Sequence, residues 1–406
     1  NTLTKTFIVK NFDKKKHDYA AETKERYTDF SGDVADLTAS PASFSLKPGE
    51  KQKVTVNLTV DPTEIAEAEQ EYGWYYVHAN IDGGVAITQT KNGKDHLWVP
   101  WHTVTLAASR DRAGKSLLDL SDGSDTYQIK GSGAGVSHAD NYVLGDTDEN
   151  GLARQFGEAD ITHIGARSFT GDDPSDGTAE ELPPGTDELA ELTWTEFLED
   201  SPLTEPIEFG VRTAGVHNTT ETLEIDVKID VGADGNFADD GIGADFLAVK
   251  IPGTGKTCLY DLSDQDPFAA CAAEWFPDYS NYNTNVNGIV VDAEALGLTK
   301  QKSVISYQVE ACTGFFSGDI PSQVCDKVGN LNVDTGTYVP HLDVADPDLD
   351  ISPLVCGGFW KAPACDEENP VTVTLGSATA DEAPKVMVLF PNNAPARTGT
   401  VINTVR

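Results

Sequence analysis

The chain has 406 residues, and its 39% hydrophobic and 23% charged fractions are those of a folded protein rather than a disordered one. Its 29 basic and 66 acidic residues give a formal charge of −37, which argues against nucleic acid or an anionic membrane as a partner because both are negatively charged. No apolar run approaches the ~20 residues of a membrane span, so no membrane span is predicted. The chain begins at Asn1 with neither a Met nor a signal sequence, and we expect a segment upstream of it.

Short runs of alternating apolar residues recur along the chain, and each predicts a β-strand. In chain order they are Phe7–Lys10, Val54–Val60, Trp74–His78, His96–Pro100, Leu223–Ile229, Val304–Val309 and Val386–Phe390. Turn-forming residues predict turns between them, for example at Lys47–Glu50 and Ile81–Gly84. Short helical pieces are predicted only at Thr63–Tyr72 and Ala293–Gly297. The chain is therefore predicted to be all-β and built from β-sandwiches.

The six cysteines all lie in the second half of the chain, in three pairs that are close in sequence. An even number of cysteines in turn-rich β-sequence predicts disulfides and an oxidising, extracellular compartment. Sequence alone does not fix the pairing, and we favour the local pairs Cys258–Cys271, Cys312–Cys325 and Cys356–Cys365. Six buried free thiols are the alternative. Zinc is disfavoured because no pair has the short spacing of structural zinc sites.

Two N-glycosylation sequons begin at Asn57 and Asn218. Both are compatible with a secreted glycoprotein, although such sequons also occur by chance.

An ordered set of motifs runs through segment 1-110, the first of the two or three domains that the length predicts. The motifs are Val9-Lys-Asn11, Ser40-Pro41 followed by Pro48-Gly-Glu50, Gly73-Trp-Tyr75 and Val99-Pro-Trp101. This set resembles the fibronectin type III-like domain that follows the catalytic domain in many secreted subtilisin-like serine peptidases. The resemblance implies a fibronectin type III-like β-sandwich over this segment.

Segment 115-406 resembles the β-rich accessory regions at the C-terminal end of the same peptidases. The stretches that carry this resemblance are Asp160–Ser168, Glu224–Asp230, Asp245–Val249, Ala293–Leu298 and Ala383–Asn393. The resemblance implies a larger, disulfide-bonded β-sandwich domain outside the active site. The acidic run 171-206, rich in Pro and Gly, is predicted to be a surface excursion from it.

The catalytic motifs of these peptidases are missing from the sequence. Serine peptidase chemistry needs a nucleophilic Ser, a His base and an Asp that orients the His. In the subtilisin-like family the His precedes Gly-Thr and the Ser lies in Gly-Thr-Ser-Met. Here no His is followed by Gly, and the single Met, Met387, lies in the run Lys385–Leu389. We therefore expect no peptidase activity from this chain, while its full-length precursor is expected to be a subtilisin-like serine endopeptidase.

Two acidic loops are predicted to bind Ca²⁺, a hard cation that takes six to eight oxygens. The first is Asp146–Gly151, which places oxygens on Asp146, Asp148 and Asn150 and a glycine sixth, as an EF-hand loop does. Its twelfth position is Gly157 rather than Glu, so it is not an EF-hand.

The second loop joins two strong strands, where its like charges would repel one another without a cation or solvent to screen them. Its predicted ligands are Asp230, Asp234, Asn236, Asp239, Asp240 and Asp245. Both loops also fit solvated acidic turns, and the general acidity also fits adaptation to a saline medium.

The function that we predict is the non-catalytic C-terminal portion of an extracellular subtilisin-like serine peptidase, serving stability, surface attachment or substrate presentation. Its partner would be the upstream peptidase domain. The alternative is a structural subunit of an extracellular filament or sheath, in which copies of the chain pair through an edge strand and form a cell-surface or matrix component. Carbohydrate binding is a third hypothesis, and it rests on Trp74, Trp98, Trp101 and Trp360, most of which strand alternation predicts to lie in the core.

Overall fold

A computed structural model of the chain describes most of its residues. The described ranges are 2–28, 34–61, 63–65, 79–91, 96–105, 108–133, 137–148, 151–152, 156–169, 206–217, 223–232, 244–251, 256–264, 266, 268, 270–275, 284–299, 302–313, 324–332, 337–338, 340–357, 362–376, 383–393 and 397–406. The chain divides into two compact units, the N-terminal unit Asn1–Ala108 and the C-terminal unit Ser109–Arg406.

The N-terminal unit contains seven described strands in two antiparallel sheets. They are β1 (Thr2–Lys10), β2 (His17–Thr28), β3 (Ala35–Ser40), β4 (Ser43–Leu46), β5 (Lys51–Val60), β6 (Ala79–Gln89) and β7 (His96–Thr105). One sheet has the order β1-β5-β3, and the other has the order β4-β2-β6-β7. A three-stranded and a four-stranded sheet thus face each other as a sandwich.

The core of this sandwich follows from alternation along the strands. In β5, Val54 and Leu58 are buried, while Lys51 and Lys53 before them are exposed. Buried side chains from both sheets meet in one cluster formed by Val9, Ala21, Leu46, Val54, Val85 and Ile87. Burial of these side chains is the main force that holds the two sheets together.

The predicted turn at Ile81–Gly84 is wrong, because these residues lie inside strand β6. The two glycines serve packing rather than chain reversal. A Cβ on Gly84 would lie 2.2 Å from the ring of Trp98, and a Cβ on Gly83 would lie 2.8 Å from Nε1 of Trp101. Only glycine lets the tryptophans of the neighbouring strand lie this close to β6. The predicted turn at Lys47–Glu50 is confirmed, with Gly49 at a φ of 78°.

The C-terminal unit contains twenty described strands. They are β8 (Leu117–Asp119), β9 (Ser124–Tyr127), β10 (His138–Thr147), β11 (Ile161–Ser168), β12 (Pro206–His217), β13 (Leu223–Val231), β14 (Phe246–Lys250), β15 (Thr257–Asp261), β16 (Ala273–Trp275), β17 (Thr284–Asp292), β18 (Val304–Thr313), β19 (Val324–Val328), β20 (Leu331–Asn332), β21 (Thr337–Tyr338), β22 (His341–Asp343), β23 (Leu349–Ser352), β24 (Val355–Gly357), β25 (Val371–Leu375), β26 (Val386–Leu389) and β27 (Gly399–Val405).

Two large sheets organise this unit. An eight-stranded sheet has the order β17-β12-β11-β10-β26-β27-β8, with β24 paired to β10. A seven-stranded sheet has the order β16-β15-β14-β13-β18-β19, with β22 paired to β18. Smaller sheets are formed by β23-β25-β9 and by β20-β21. The pairing is antiparallel except between β27 and β8.

The eight-stranded sheet contributes to two separate cores. Strands β11, β12 and β17 pack on the seven-stranded sheet through side chains such as Phe209 and Tyr307, whose rings lie 5.0 Å apart in an edge-to-face arrangement. Strands β8, β26 and β27 pack on the small sheet β23-β25-β9 through side chains such as Val388 and Val373. The C-terminal unit is therefore two sandwiches that share one sheet.

Three disulfides join Cys258 to Cys271, Cys312 to Cys325 and Cys356 to Cys365, the local pairs that the sequence predicts. The second of these pairs lies directly across β18 and β19, with its Cα atoms 4.1 Å apart.

The prediction of an all-β sandwich fold with disulfides is confirmed. The described helical residues are 63–65, inside the predicted piece Thr63–Tyr72, whose remaining residues lie outside the described ranges. Residues 293–297, the other predicted helical piece, form hydrogen-bonded turns. Within the described ranges, no helix combines the length and apolar composition needed to cross a bilayer. The predicted strand Trp74–His78 and nearly all of the excursion 171-206 also lie outside the described residues.

Candidate metal centre

The first predicted calcium loop follows strand β10 of the eight-stranded sheet. Asp146 lies in the strand, and its Oδ1 accepts a hydrogen bond from the N–H of Thr147 at 2.7 Å. Asp148 comes just after the strand, where its N–H donates to the carbonyl of Thr162 at 3.1 Å. Asn150 lies outside the described residues. Of the two described ligands, Asp148 is brought beside other carboxylates, and Asp146 is not grouped with them.

Those neighbours are Asp160 and Asp326, which no sequence motif predicts as ligands. One carboxylate oxygen from each of Asp148, Asp160 and Asp326 lies within 4.8 Å of the other two. Asp160 immediately precedes β11 in the eight-stranded sheet, whereas Asp326 lies in β19 of the seven-stranded sheet. We call these three residues the aspartate trio. The trio joins the two sheets of the larger sandwich.

Hydrogen bonds to the backbone hold Asp326 in place. Its Oδ2 accepts from the N–H of Ile161 in the opposite sheet at 2.8 Å, and its Oδ1 accepts from the N–H of Lys327 at 2.9 Å. The preceding residue in β19 is Cys325, whose disulfide to Cys312 ties this strand to β18. Asp326 is therefore held on a covalently restrained strand.

Asp160 is the most buried member of the trio, with 6% of its surface exposed. It accepts a backbone hydrogen bond from Leu152, but its Oδ1 atom is buried and has no hydrogen-bond partner. A Cβ on Gly151 would lie 2.7 Å from Asp160 Oδ2, so this glycine lets the backbone approach the carboxylate closely. Burial, and then the negative charges of Asp326 and Asp148, raise the pKa of Asp160.

The trio has the donor chemistry of a site for a hard cation. Calcium binds oxygens at roughly 2.3–2.6 Å, so two oxygens on one ion lie at most about 5 Å apart. The trio satisfies this limit with three carboxylates from three separate segments. A second grouping of suitable residue types, Glu310 with Cys312 and Cys325, offers no such site because both sulfurs are engaged in a disulfide.

The second predicted calcium loop is described only at its two ends. Asp230, near the end of β13, is buried, and its Oδ2 accepts from the hydroxyl of Ser306 at 3.3 Å. Asp245 precedes β14, and its Oδ2 accepts from the N–H of Val231 at 2.8 Å. The other predicted ligands, Asp234, Asn236, Asp239 and Asp240, lie outside the described residues. Calcium binding by this loop stays a prediction.

A buried ionic cluster lies in the middle of the eight-stranded sheet. The guanidinium of Arg167, only 4% exposed, donates to Glu208, to Asp140 at 3.1 Å and to the carbonyl of Leu354 at 2.9 Å. Burial alone would raise the pKa of Asp140, but His138 and Arg167 lower it to about 2. Every charge named here has an opposite partner, so the cluster serves the structure of the sheet.

The structure describes two of the four tryptophans on which the carbohydrate-binding hypothesis rests. Trp98 packs on Gly84, and the guanidinium of Arg26 lies 4.9 Å from its ring centre, in the range of a cation–π contact. Trp101 packs on Gly83. Trp74 and Trp360 lie outside the described residues. The described rings are engaged in packing within the N-terminal unit.

Only one of the two sequons is described. Asn57 lies in β5, and its Oδ1 accepts from the hydroxyl of Thr4 in β1 at 2.8 Å. Asn218 lies outside the described residues. Glycosylation at both positions stays a prediction.

No family model and no curated protein matches the chain. Among solved structures, the chain is similar to one described as "PcdhgB3 EC1-4 in 50 mM HEPES", at 8% sequence identity and a TM-score of 0.09. The match covers 80% of this chain and 65% of that one, so this chain spans just under two thirds of that structure. A similarity this low carries no argument about function, which rests on the residues of the chain itself.

Proposed function

We propose that this chain is the non-catalytic C-terminal portion of an extracellular subtilisin-like serine peptidase, and that it stabilises the precursor. The proposal rests on the motif set of the N-terminal unit, because two of its separate members meet in one corner of the fold. A peptidase of this kind would carry its catalytic groups upstream of Asn1.

The corner is formed by Asn11 and the turn Lys47–Glu50. The N–H of Asn11 donates to the carbonyl of Glu50 at 3.0 Å, and the N–H of Gly49 donates to the carbonyl of Asn11 at 2.9 Å. The side-chain amide of Asn11, which is buried, donates to the carbonyls of Lys15 and Leu46. The asparagine at the end of the first strand and the Pro-Gly-Glu turn thus act together to fix the entry into β5, which supports treating them as parts of one domain motif.

The three disulfides support the extracellular part of the proposal. Disulfides persist in oxidising compartments, and all six cysteines of the chain are paired. The large negative charge is compatible with a soluble secreted protein and disfavours attachment to anionic surfaces. These features favour a role in stability over a role in membrane attachment.

The test begins with the reading frame upstream of Asn1 and continues with the encoded precursor, expressed with and without residues 1–406. We expect the upstream frame to encode His-Gly-Thr and Gly-Thr-Ser-Met. The truncated peptidase should still cleave a small peptide substrate but should lose activity faster on heating. The 406-residue chain alone should not cleave casein. An upstream frame without these motifs, or casein cleavage by the chain that a serine-directed inhibitor stops, would contradict the proposal.

The second candidate function is that of a filament or sheath subunit, and strand β1 favours it. Among the described strands β1 pairs only with β5, so it forms an edge of its sheet. Its side chains Leu3 and Ile8 are 57% and 65% exposed. A long edge strand with exposed apolar residues is a template for pairing with another copy.

Sedimentation of the purified chain over a range of concentrations tests this alternative. Filament formation predicts large species that disappear in Ile8→Lys, because a charge on the edge opposes strand addition. A monomer at all concentrations contradicts the filament function. It leaves the peptidase proposal standing, which the upstream frame decides separately.

A further inference from the structure

We propose that Asp148, Asp160 and Asp326 bind one Ca²⁺ ion that ties the two sheets of the larger sandwich together. This site differs from both calcium loops that the sequence predicts, because two of its three ligands come from outside them. The inference does not depend on the proposed peptidase origin of the chain.

One carboxylate oxygen of Asp160 lacks a hydrogen-bond partner. A buried carboxylate oxygen without a hydrogen-bond partner is costly and rare in native proteins. Asp160 Oδ1 is such an atom, and only 6% of the surface of Asp160 is exposed. A cation bound by the trio would give this oxygen a partner.

The local charge also favours a cation. Three carboxylates with oxygens within 4.8 Å of one another repel strongly, and among the described residues no Lys or Arg forms an ion pair with Asp160 or Asp326. A divalent cation would reduce the local charge from −3 to −1.

The chemistry of the three side chains indicates the kind of ion. All the side-chain donors are carboxylate oxygens, which suit calcium and magnesium rather than the softer transition metals. Magnesium demands near-ideal octahedral geometry and usually keeps several waters, whereas calcium accepts irregular sets of carboxylates and backbone carbonyls. The trio combines residues from a strand end, a buried turn and a strand of the opposite sheet, a set of the irregular kind. We therefore assign the site to calcium.

The expected consequence is a link between sheets that the backbone does not provide. On the eight-stranded sheet, the N–H of Asp148 donates to the carbonyl of Thr162, which lies two residues after Asp160. Asp326 reaches across to Ile161 from β19, the outermost strand of the seven-stranded sheet. An ion at this point would fix the edge strand β19 to the opposite sheet.

The test uses the full 406-residue chain, stripped with a chelator and titrated with CaCl₂ in a calorimeter. Asp160→Asn and Asp326→Asn remove a ligand charge at the site. Asp350→Asn makes the same charge change at an exposed position of β23 and serves as the control. We expect the number of bound Ca²⁺ ions to fall by one in both site variants and to stay unchanged in the control. Counting ions keeps the test valid if the Asp230–Asp245 loop also binds calcium.

Melting temperatures separate loss of binding from loss of folding. Calcium in large excess over its dissociation constant should raise the melting temperature of the parent chain by several degrees, and magnesium at the same concentration should raise it less. Without calcium, Asp160→Asn should melt no lower than the parent, because the amide is not repelled by Asp148 and Asp326. With calcium, it should lack the parent's response.

A fourth variant leaves every charge in place. Gly151→Ala puts a methyl group 2.7 Å from Asp160 Oδ2, so the carboxylate must move, and the affinity of this site for calcium should fall. The proposal is overturned if calcium and magnesium give equal shifts, or if Asp160→Asn and Asp326→Asn bind as many ions as Asp350→Asn.

Discussion

The two units of the chain are held together by different means. The N-terminal unit has no cysteine, and its described residues hold the sandwich together through a small apolar cluster and tryptophans packed over glycines. The C-terminal unit has all three disulfides, a buried ionic cluster and the aspartate trio in addition to two large apolar cores. The difference shows what a large pair of sheets requires beyond burial, namely restraints on its edges.

The disulfides act at those edges. In the seven-stranded sheet the outermost strands are β16 and β19. Cys271 lies two residues before β16, and Cys325 lies within β19, so two of the three disulfides secure the two margins of this sheet. The edge strand β1 of the N-terminal unit has no such restraint and exposes Leu3 and Ile8. Unprotected edges favour pairing with other chains, and restrained edges oppose it.

The largest difference between the units should appear on removal of the buried arginine. Arg167→Ala removes the buried cation that pairs with both Glu208 and Asp140, which costs about 3–5 kcal/mol of unfolding free energy. Denaturant unfolding, followed by hydrogen exchange of peptides from each unit, should show the loss in the C-terminal unit alone.

Lys115→Ala is the matched control for this variant. Its exposed ion pair with Asp125 contributes at most about 1 kcal/mol. Equal losses in the two variants would mean that the buried cluster does not stabilise the sheet, and equal losses in both units would remove the contrast between them.

A second prediction concerns Asp226, a carboxylate in β13 that opposes stability. Its Oδ1 is buried without a hydrogen-bond partner, and the residue directly opposite in β18 is Glu310. Burial, then the charges of Glu224 and Glu310, raise its pKa to about 7, although Lys228 opposes this. Lys228 and Lys327 both pair with Glu310, and the neighbour in β14 is the uncharged Val249.

The sign follows from the raised pKa. The folded state holds the proton of Asp226 more tightly than the unfolded state, so stability from this group is full below pH ~4 and is lost as the pH rises to about 7. Asp226→Asn should therefore stabilise the C-terminal unit at pH 8 by roughly 2–4 kcal/mol and change it little at pH 4. Melting curves at both pH values measure this. A gain of equal size at the two pH values would show that removal of a titrating charge is not the cause.

The sequence predicted most of the local structure of these units because alternation is a local property. The run Val54–Val60 buries Val54 and Leu58 on one face of β5, and the run Leu223–Ile229 buries every second residue in β13. The failure at Ile81–Gly84 has a clear cause. Glycine is typical of turns, so Gly83 and Gly84 predict one. The neighbouring sequence does not indicate that Trp98 and Trp101 of the next strand fill the space that a Cβ would occupy.

The sequence points to the candidate metal centre only in the part that is local. Asp148 stands in a loop with calcium-like spacing, so the sequence predicts it as a ligand. Asp160 and Asp326 come from other segments, and their meeting depends on how two sheets stack. The cysteine spacing predicts that Cys325 lies beside Cys312, and hence that Asp326 is near β18, but it does not indicate that the aspartate reaches Ile161 in the opposite sheet.

The smallest of the expected effects tests the restrained edge itself. Replacing Cys312 and Cys325 together by Ala opens a covalent loop of 13 residues, which should cost about 2–3 kcal/mol of unfolding free energy in the C-terminal unit. The corresponding double replacement of Cys356 and Cys365 removes a disulfide from the other core and is the matched comparison. Hydrogen exchange in β19 should speed up in the first variant and stay unchanged in the second.

Calcium affinity should depend on the Cys312–Cys325 disulfide, because Asp326 lies next to Cys325 in β19. Loss of the first disulfide frees the strand that carries one ligand, so more of the binding energy must be spent on ordering it. We therefore expect weaker calcium binding without Cys312–Cys325 and unchanged binding without Cys356–Cys365. Unchanged exchange in β19 in the first variant would mean that sheet pairing alone holds this edge, and the restraint that distinguishes the two units would then lie in the apolar cores.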